Sequence, residues 1–380
     1  MTTATKEKTG VTIAVKDTGR FGSKVSLVAD ACASSNTIPI LTCMKIEMKA
    51  GNVLFTGGDG VKMICMGERD VVHAEVDTSF AVPAKLFKEI INKLPAGEVR
   101  LTITENMLLI RAGNVKFDIS LLDVKEYPAF VVDKNDVSTF MIPASALIAA
   151  LKSTMYACAV NQAMPIITGV CMESREGASD LIFTATDRNR LARYVVSDIA
   201  ADPFRIPISL QSCMEIKRIF EGEETELKVT ATASIVSVMG PGTMFMSRIL
   251  EGDYPNTDKL FPQAFEMEIS MEREKLLGAL TRASVFAKNK KMAVFTLKND
   301  EVSIESKAEV GQVMDSLSCQ TNGKEMRLGL DVFFLIEALK AIDQKNVRIG
   351  FTSPVTPLVI RPEDETIKSI GLLIPIRPSA

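Results

Sequence analysis

The chain has no tryptophan and only one histidine, His73, among its 380 residues. A single imidazole leaves little scope for acid–base or nucleophilic chemistry. Within the alternating run "DVVHAEVD" it reads as a strand-surface residue rather than a general base. Paired catalytic acids, a nucleophile elbow and a Gly-rich phosphate cradle are also missing, so no catalytic constellation is expected. The seven cysteines, at 32, 43, 65, 158, 171, 213 and 319, are odd in number and contain no Cys-x-x-Cys pair. That usage fits a reduced intracellular compartment, with the thiols acting as small buried apolar groups, and it supplies no metal centre. No apolar run approaches about 18 residues, which excludes a membrane-spanning helix. The opening "MTTATKEKTG" (residues 1–10) lacks the apolar core of a secretory signal and reads as a mobile tail. A cytoplasmic protein without cofactor is the expectation. Positive charge is lacking too: the formal net charge is -3, so any nucleic-acid role must rest on a local basic face.

What the chain does have is internal repetition, the first thing to seek in a long sequence. "IPILTCMKI" (38–46) returns as "MPIITGVCM" (164–172), and "LFTGGDGVKM" (54–63) returns as "IFTATDRNRL" (182–191). "LLDVKEYPAF" (121–130) returns as "ILEGDYPNTD" (249–258), sharing a Tyr-Pro. The three offsets agree to within two residues, about one domain length. A fainter third copy includes "KMAVFTLKNDEVSI" (291–304) and "GLLIPIRP" (371–378). Boundaries then fall near 134 and 263, giving a tail (1–10) and domains over 11–134, 135–263 and 264–380.

Each copy also halves. Helical apolar spacing occurs over 23–34, 84–94, 145–159, 209–220, 273–287 and 331–342. In the second, Leu86, Phe87, Ile90, Ile91 and Leu94 make one face and Lys85, Lys88, Glu89, Asn92 and Lys93 the other. Pro83 and Pro207 lie in extended lead-ins ahead of two helices. Period-two runs such as "VRLTITENMLLIRAG" lie between the helices as strands joined by tight turns. The fold class is therefore α+β: one strand, one helix and about three antiparallel strands, used six times. Lys24, Lys85, Lys88, Lys152, Lys217, Arg218, Lys275 and Arg282 fall on the polar helix faces. Acids at Asp30, Glu89, Glu215, Glu274 and Glu337 are interspersed. On charge alone these are solvated helix surfaces.

The stretch "DLIFTATDRNRL" (180–191) ends a strand in a cluster of charge at Asp187, Arg188 and Arg190. From these residues alone, an active site, a nucleic-acid contact and a plain hairpin all remain open. The wider pattern resembles the bacterial sliding clamp family, the β subunit of DNA polymerase III. The carriers are "NTIPIL", "MPIITGV", "FTATDRNRLA", "SRILEGDYPNTDKLFP", "RASVFA" and "RPEDETI" followed by "LLIPIR", in order from about Val11 to Arg377.

The resemblance implies a homodimeric ring, closed head to tail, with helices lining the inside and sheets outside. Twelve helices about 10 Å apart give a diameter of ~38 Å at their axes. Subtracting ~5 Å of helix radius per side leaves an opening of ~28 Å, wide enough to encircle duplex DNA without sequence-specific grip. A mild positive lining suffices for such topological retention. The eight cations above would then face DNA.

The resemblance also implies a hydrophobic groove that receives linear peptides from polymerase, clamp loader and repair proteins. Carried over by motif, it comprises Ile167, Thr186, Arg188, Asn189, Arg190, Leu191, Pro255, Lys259, Leu260, Val355, Pro357, Leu372, Leu373, Ile374, Pro375, Ile376 and Arg377. Arg190 and Arg377 are expected to donate to peptide carbonyls or an acidic flank. Phe117 and Ile119 of one subunit would meet Val285 and Phe286 of the other. The sequence departs from the family pattern where Ser35 and Met164 replace basic residues ahead of the Pro-Ile strands. It departs again at "SLQS" (209–212), and where Arg188 and Asn189 stand in place of a small residue and a histidine. These changes point to a divergent copy. The alternative is a clamp-like regulatory protein that keeps the groove but loads poorly on DNA; an enzyme built on Asp187 and Arg190 has no supporting partners.

Overall fold

The computed structural model describes residues 11–377 except 36, 50–51, 75, 96, 129–137, 162, 263 and 289–290. The expected tail (1–10), the joints near 134 and 263, and the chain end beyond 377 lie outside the described residues. The repeated unit is present six times. The first third runs β1 (Val11–Val15), α1 (Thr18–Ala29), β2 (Cys43–Lys49), β3 (Asn52–Gly58) and β4 (Lys62–Arg69). A short β5 (Val72–Ala74) precedes β6 (Thr78–Pro83), α2 (Ala84–Lys93), β7 (Val99–Ile103), β8 (Met107–Ala112) and β9 (Val115–Ser120). The middle third begins with β10 (Ser138–Pro143), α3 (Ala144–Thr154), β11 (Gly169–Ser174), β12 (Leu181–Thr186) and β13 (Arg190–Val196). It continues with β14 (Phe204–Ser209), α4 (Leu210–Phe220), β15 (Glu226–Ala231), β16 (Ile235–Gly240) and β17 (Thr243–Arg248). Next come β18 (Met267–Glu272), α5 (Arg273–Ser284), β19 (Met292–Lys298), β20 (Glu301–Ala308), β21 (Gly311–Ser318) and a short β22 (Gln320–Gly323). The last are β23 (Met326–Asp331), α6 (Val332–Lys340), β24 (Asn346–Phe351), β25 (Leu358–Pro362) and β26 (Ser369–Leu373).

Helix boundaries differ from the sequence reading in several places: α5, expected over 273–287, ends at Ser284, α6, expected over 331–342, spans Val332–Lys340, and two further differences have a clear local cause. The first helix, expected over 23–34, spans Thr18–Ala29, because the Asp17 carboxylate accepts the Arg20 amide at 2.9 Å and starts it early. Gly19 and Gly22 had masked that start in the sequence. The third, expected over 145–159, is α-helical only to Thr154 and tightens into a 3-10 turn at Met155–Ala157.

Strand exchange knits the halves together. The strand that opens each half pairs with the other half of the same copy: β1 with β7, β6 with β2, β10 with β15, β14 with β11, β18 with β24 and β23 with β19. Neither half is complete without the other. Further seams form between copies, where β4 pairs with β17 and β13 pairs with β26, all antiparallel. The chain therefore settles into two compact units, one containing residues to 141 with 225–248, the other 142–224 with 249–380. The middle third contributes to both.

Helices pack in pairs within each unit, α1 on α2 in the first, α3 on α4 and α5 on α6 in the second. In the first unit Phe21 stacks edge-on against Phe55 at 5.1 Å and Phe87 at 6.4 Å, all three fully buried. Each such ring contributes roughly 1.5–3 kcal/mol by leaving water. In the last third Leu276, Leu280, Phe295, Leu328, Leu335 and Phe351 belong to one continuous core. The Tyr-Pro motifs also have a structural use: Tyr127 Oη donates to Thr56 O at 3.2 Å, and Tyr254 Oη donates to Gly169 O at 3.4 Å. Each ties the end of its half back to an earlier strand.

Candidate functional site

The charged hairpin joins β12 to β13, with Thr186 opposite Leu191 in register. Asp187 organises it: Oδ1 accepts the amides of Asn189 and Arg190, both at 2.9 Å, and Oδ2 pairs with Arg190 Nε at 2.9 Å. Thr186 Oγ1 donates to Arg190 O at 2.7 Å and accepts the Arg188 amide at 3.1 Å. This side-chain turn sets Arg188 at φ +77°, left-handed backbone that disfavours a residue with a Cβ. The following seam adds a third strand. Leu191 lies opposite Leu372, Arg190 opposite Leu373, and the Ile374 amide donates to Asn189 O at 2.9 Å.

The seam end is apolar. Leu191, Val359 and Leu372 form a small buried cluster covered by Phe261, Phe265 and Ile370. Four apolar residues on the segments that flank it stay substantially exposed: Ile374 (44%) after β26, Leu260 (51%) next to Phe261, Val355 (55%) in the loop between β24 and β25, and Met164 (42%). The last lies 4.0 Å through its sulfur from Arg188 Nη1. Exposed apolar side chains near a hydrogen-bonded hairpin are of the kind that suits an apolar peptide.

Other expected groove residues stand differently. Ile167 is buried in a separate cluster with Tyr254 and Cys171. Thr186, Leu191, Leu372 and Leu373 are buried, while Asn189 and Arg377 are exposed. Lys259 and Leu260 share a 3-10 turn at Asp258–Leu260, and Pro255 O accepts from Arg205 Nη2 at 3.1 Å. Pro357 and Pro375 are half-buried, and Ile376 turns away to bond Gly329 O at 2.8 Å.

Arg190 departs most from its expected role as a donor to peptide. Its side chain is only 7% exposed. It pairs with Asp187 and with Glu337 of α6, and its guanidinium lies 4.2 Å from the Phe334 ring centre and 5.5 Å from that of Tyr156. Burial pushes the Tyr156 hydroxyl pKa up, so that ring stays neutral under the cation. The sequence reading missed Tyr156, Phe334, Val359, Phe261, Phe265 and Ile370, and placed Glu337 only on a polar helix face.

The helix cations are mostly paired. Lys24 meets Glu68 at 3.4 Å, Lys88 meets Asp30 at 2.6 Å, and Lys275 meets Glu272 at 3.1 Å. Lys152 and Lys217 share Glu221 at 2.5 and 4.0 Å, and Arg218 pairs with Glu215 at 2.6 Å. Arg282 pairs with Asp315 of β21 at 2.5 Å. Lys85 alone of the eight makes no ion pair among the described residues.

For the expected interface, Phe117 is half-buried on β9, whereas Ile119 is already buried in its own sheet, 4% exposed. Val285 is 59% exposed just after α5. A Cβ at Gly311, which opens β21, would meet the Phe286 ring at 2.9 Å, so that ring packs flush on the strand. Val310 and Met314, not anticipated, are also exposed there, at 92% and 68%.

The cysteines are free, five of them buried, with Cys65 and Cys319 half-buried. Burial pushes the thiols of Cys32 and Cys158 up to about 12, which keeps them protonated. His73 pairs through its backbone with Ala14 on β1, and its side chain lies outside what is described. Among the described residues no group of three His, Cys, Asp or Glu could hold a metal, and no helix is long and apolar enough to cross a membrane.

Comparison with known proteins decides the family. Models of the DNA polymerase III beta subunit match in chain order: N-terminal domain over residues 14–131, central domain over 141–256 and C-terminal domain over 258–376. The "Beta sliding clamp" of Bacillus subtilis is 31% identical over 373 residues, covering 94% of this chain and 97% of the relative. The chain belongs to the DNA polymerase III beta subunit family. Staphylococcus aureus sliding clamps are 29% identical, with 94% of this chain and 97% of theirs covered. The solved beta subunit of Streptococcus pyogenes superposes with a TM-score of 0.92 at 25% identity, covering 97% of this chain and all of that one. The Bacillus subtilis clamp structure gives 0.91 at 28%, covering 98% and 100%. As a family member the chain has the DNA clamp fold, three similar α+β domains, and it is a non-catalytic processivity subunit.

Proposed function

We infer that two copies of the chain close head to tail into a ring that slides on duplex DNA. The groove at the β13–β26 seam then tethers polymerase, clamp loader and repair proteins through linear peptide motifs. Domain boundaries near residues 134 and 263 go with that reading.

One observation carries the ring. Each of the six halves ends in a strand, and four of these end strands pair across copies of the repeat, β4 with β17 and β13 with β26. The two left over are β9 and β21, each at the edge of its sheet among the described residues. By the repeat's own rule a second-half end strand joins a first-half end strand, and β9 and β21 are such a pair. Unpaired edges invite strand addition, and two heterologous contacts of this kind close a two-membered ring. Exposed Val285, Val310 and Met314 on the β21 side supply apolar area for it.

The paired helix cations fit retention by topology. Phosphates must compete with Glu68, Asp30, Glu221, Glu215, Glu272 and Asp315, so the direct electrostatic hold is weak and its salt slope shallow. The same pairing lends some weight to the alternative, a groove-bearing regulator that loads poorly on DNA.

Retention on circular DNA separates the two. After loading, the protein should stay on a closed circle and leave when the circle is cut; equal loss from both would remove the sliding reading. For the ring itself, Phe286→Asp should turn a dimer by sedimentation into a monomer, since the interface would have to bury an unpaired charge.

A further inference from the structure

We propose that Glu337, on α6, is a positioning residue for the peptide groove and acts through Arg190. The inference rests on the groove reading above and adds to it a residue from outside the groove.

The two units contain the same hairpin. In the first, Asp59 Oδ1 accepts the amides of Val61 and Lys62, both at 2.9 Å, and Oδ2 pairs with Lys62 Nζ at 2.7 Å. Arg248 donates its amide to Val61 O at 2.9 Å, as Ile374 does to Asn189 O. Gly60 has φ +92° where Arg188 has +77°. The aspartate bonds of Asp59–Lys62 repeat those of Asp187–Arg190, with Gly58 standing where Thr186 adds its two hydroxyl bonds, so the turn folds and joins its seam with one acid and one buried cation.

The second unit adds something that this turn does not require. Glu337 gives Arg190 a second carboxylate, and Phe334, one helical turn earlier, places a ring under the same guanidinium. Among the described residues Lys62 has no second acid and no ring beneath it. The addition thus appears only on the hairpin that carries the apolar rim of Met164, Leu260, Val355 and Ile374. Glu337 is itself half exposed, 51% at the side chain, so it contributes little to the core. Its effect is directional: it holds Arg190 toward α6, away from the groove mouth. The hairpin and the Ile374 strand bonded to it are thereby fixed before a peptide arrives. Such preorganisation raises affinity by lowering the ordering cost of binding.

The test compares the full-length protein with Glu337→Gln and Phe334→Leu, using a fluorescein-labelled polymerase tail peptide. Melting temperature and hydrogen exchange are measured in parallel. Glu337→Gln should weaken peptide binding by about five-fold, as expected for a half-exposed ion pair. Amides at Asn189 and Arg190 should exchange faster, those at Val61 and Lys62 should not, and the melting temperature should hold. Phe334→Leu should weaken binding in the same direction. Unchanged affinity in Glu337→Gln, while the unaltered protein binds, overturns the positioning role alone. Weakened affinity with an equal loss of melting temperature reduces Glu337 to a structural residue. If the unaltered protein does not bind the peptide, the groove reading fails and this inference with it.

Discussion

The β4–β17 seam of the first unit and the β13–β26 seam of the second are one backbone dressed in two ways. Both start from an aspartate-organised hairpin, and both leave a small apolar cluster at the seam. In the first unit the cluster is Met63, Ile235 and Met246, flanked by Cys65 and Met244. In the second it is Leu191, Val359 and Leu372, under Phe261, Phe265 and Ile370. Where the first unit places Cys65 beside Thr56, the second places Arg193 beside Thr184. Arg193 Nη2 donates to Thr257 Oγ1 at 2.7 Å and to Asp258 at 2.9 Å, and its guanidinium lies 4.5 Å from the Phe261 ring centre. Thioethers and a thiol make a soft, adaptable surface, whereas arginines locked between carboxylates and rings make a rigid one. An aspartate side chain sets the turn in both; the side chains around it make the two seams differ.

Six substitutions probe that comparison. Phe55 and Phe183 occupy matching, fully buried positions on β3 and β12. Replacing either by Ala should cost about 3–5 kcal/mol in urea unfolding. Phe55→Ala should cost about 1 kcal/mol more, since among the described residues only Phe55 of the two has an edge-on aromatic partner, at 5.1 Å. Equal costs would mean that the stack contributes nothing beyond area.

Arg190→Lys makes the second hairpin chemically like the first. A lysine cannot serve two carboxylates and a ring at once, so stability should drop by about 1–2 kcal/mol and the tail peptide should bind more weakly. The reciprocal Lys62→Arg finds no second acid and should stay within about 0.5 kcal/mol of the parent. A neutral Arg190→Lys would place the difference between the seams elsewhere.

Arg188→Gly moves the same way at the tip. It relieves the left-handed strain at φ +77° but frees the unfolded chain, leaving a net gain of about 0.5 kcal/mol. A loss of stability would show that the Arg188 side chain earns its place through contacts such as Met164.

The smallest effect concerns pH. Hydrogen bonds from Arg175, then Arg193, hold the Asp258 carboxyl below the usual carboxylate range. A depressed folded pKa gives stability that is present above the unfolded value near 4 and lost as pH falls through the folded one. Asp258→Asn should therefore lower stability at pH 7 by about 0.5 kcal/mol, discounted for partial exposure, and the two proteins should converge as pH falls through the folded pKa. A constant gap across that range would remove the charge from the explanation.

Much of this was legible beforehand. Helix and strand periods and the halving of each copy follow from local patterning, because a 3.6-residue stripe or a period of two is written in neighbouring residues, whereas the hairpin at Asp187 came only with the family resemblance. The misplaced start of α1 turned on one capping aspartate ahead of two glycines, a weak local signal. The role of Arg190 was not legible at all. A basic residue after Thr-Asp could as well point outward, and its orientation depends on Tyr156 and Phe334, which lie far from it in the chain.

The sequence by itself determined that one strand–helix–strands unit recurs six times, since each copy carries its own apolar periodicity and turn residues. Only tertiary structure decided that opening strands are exchanged between halves, that seams form at β4–β17 and β13–β26, and that β9 and β21 remain over. Strand pairing is made by backbone groups common to every residue, so partner choice emerges from packing. Tertiary structure likewise decided that seven of the helix-face cations meet six acids, most of them on strands or helix caps, and that Arg190 turns inward to Glu337. Charges find partners by distance in the folded chain, and distance is what a linear sequence does not contain.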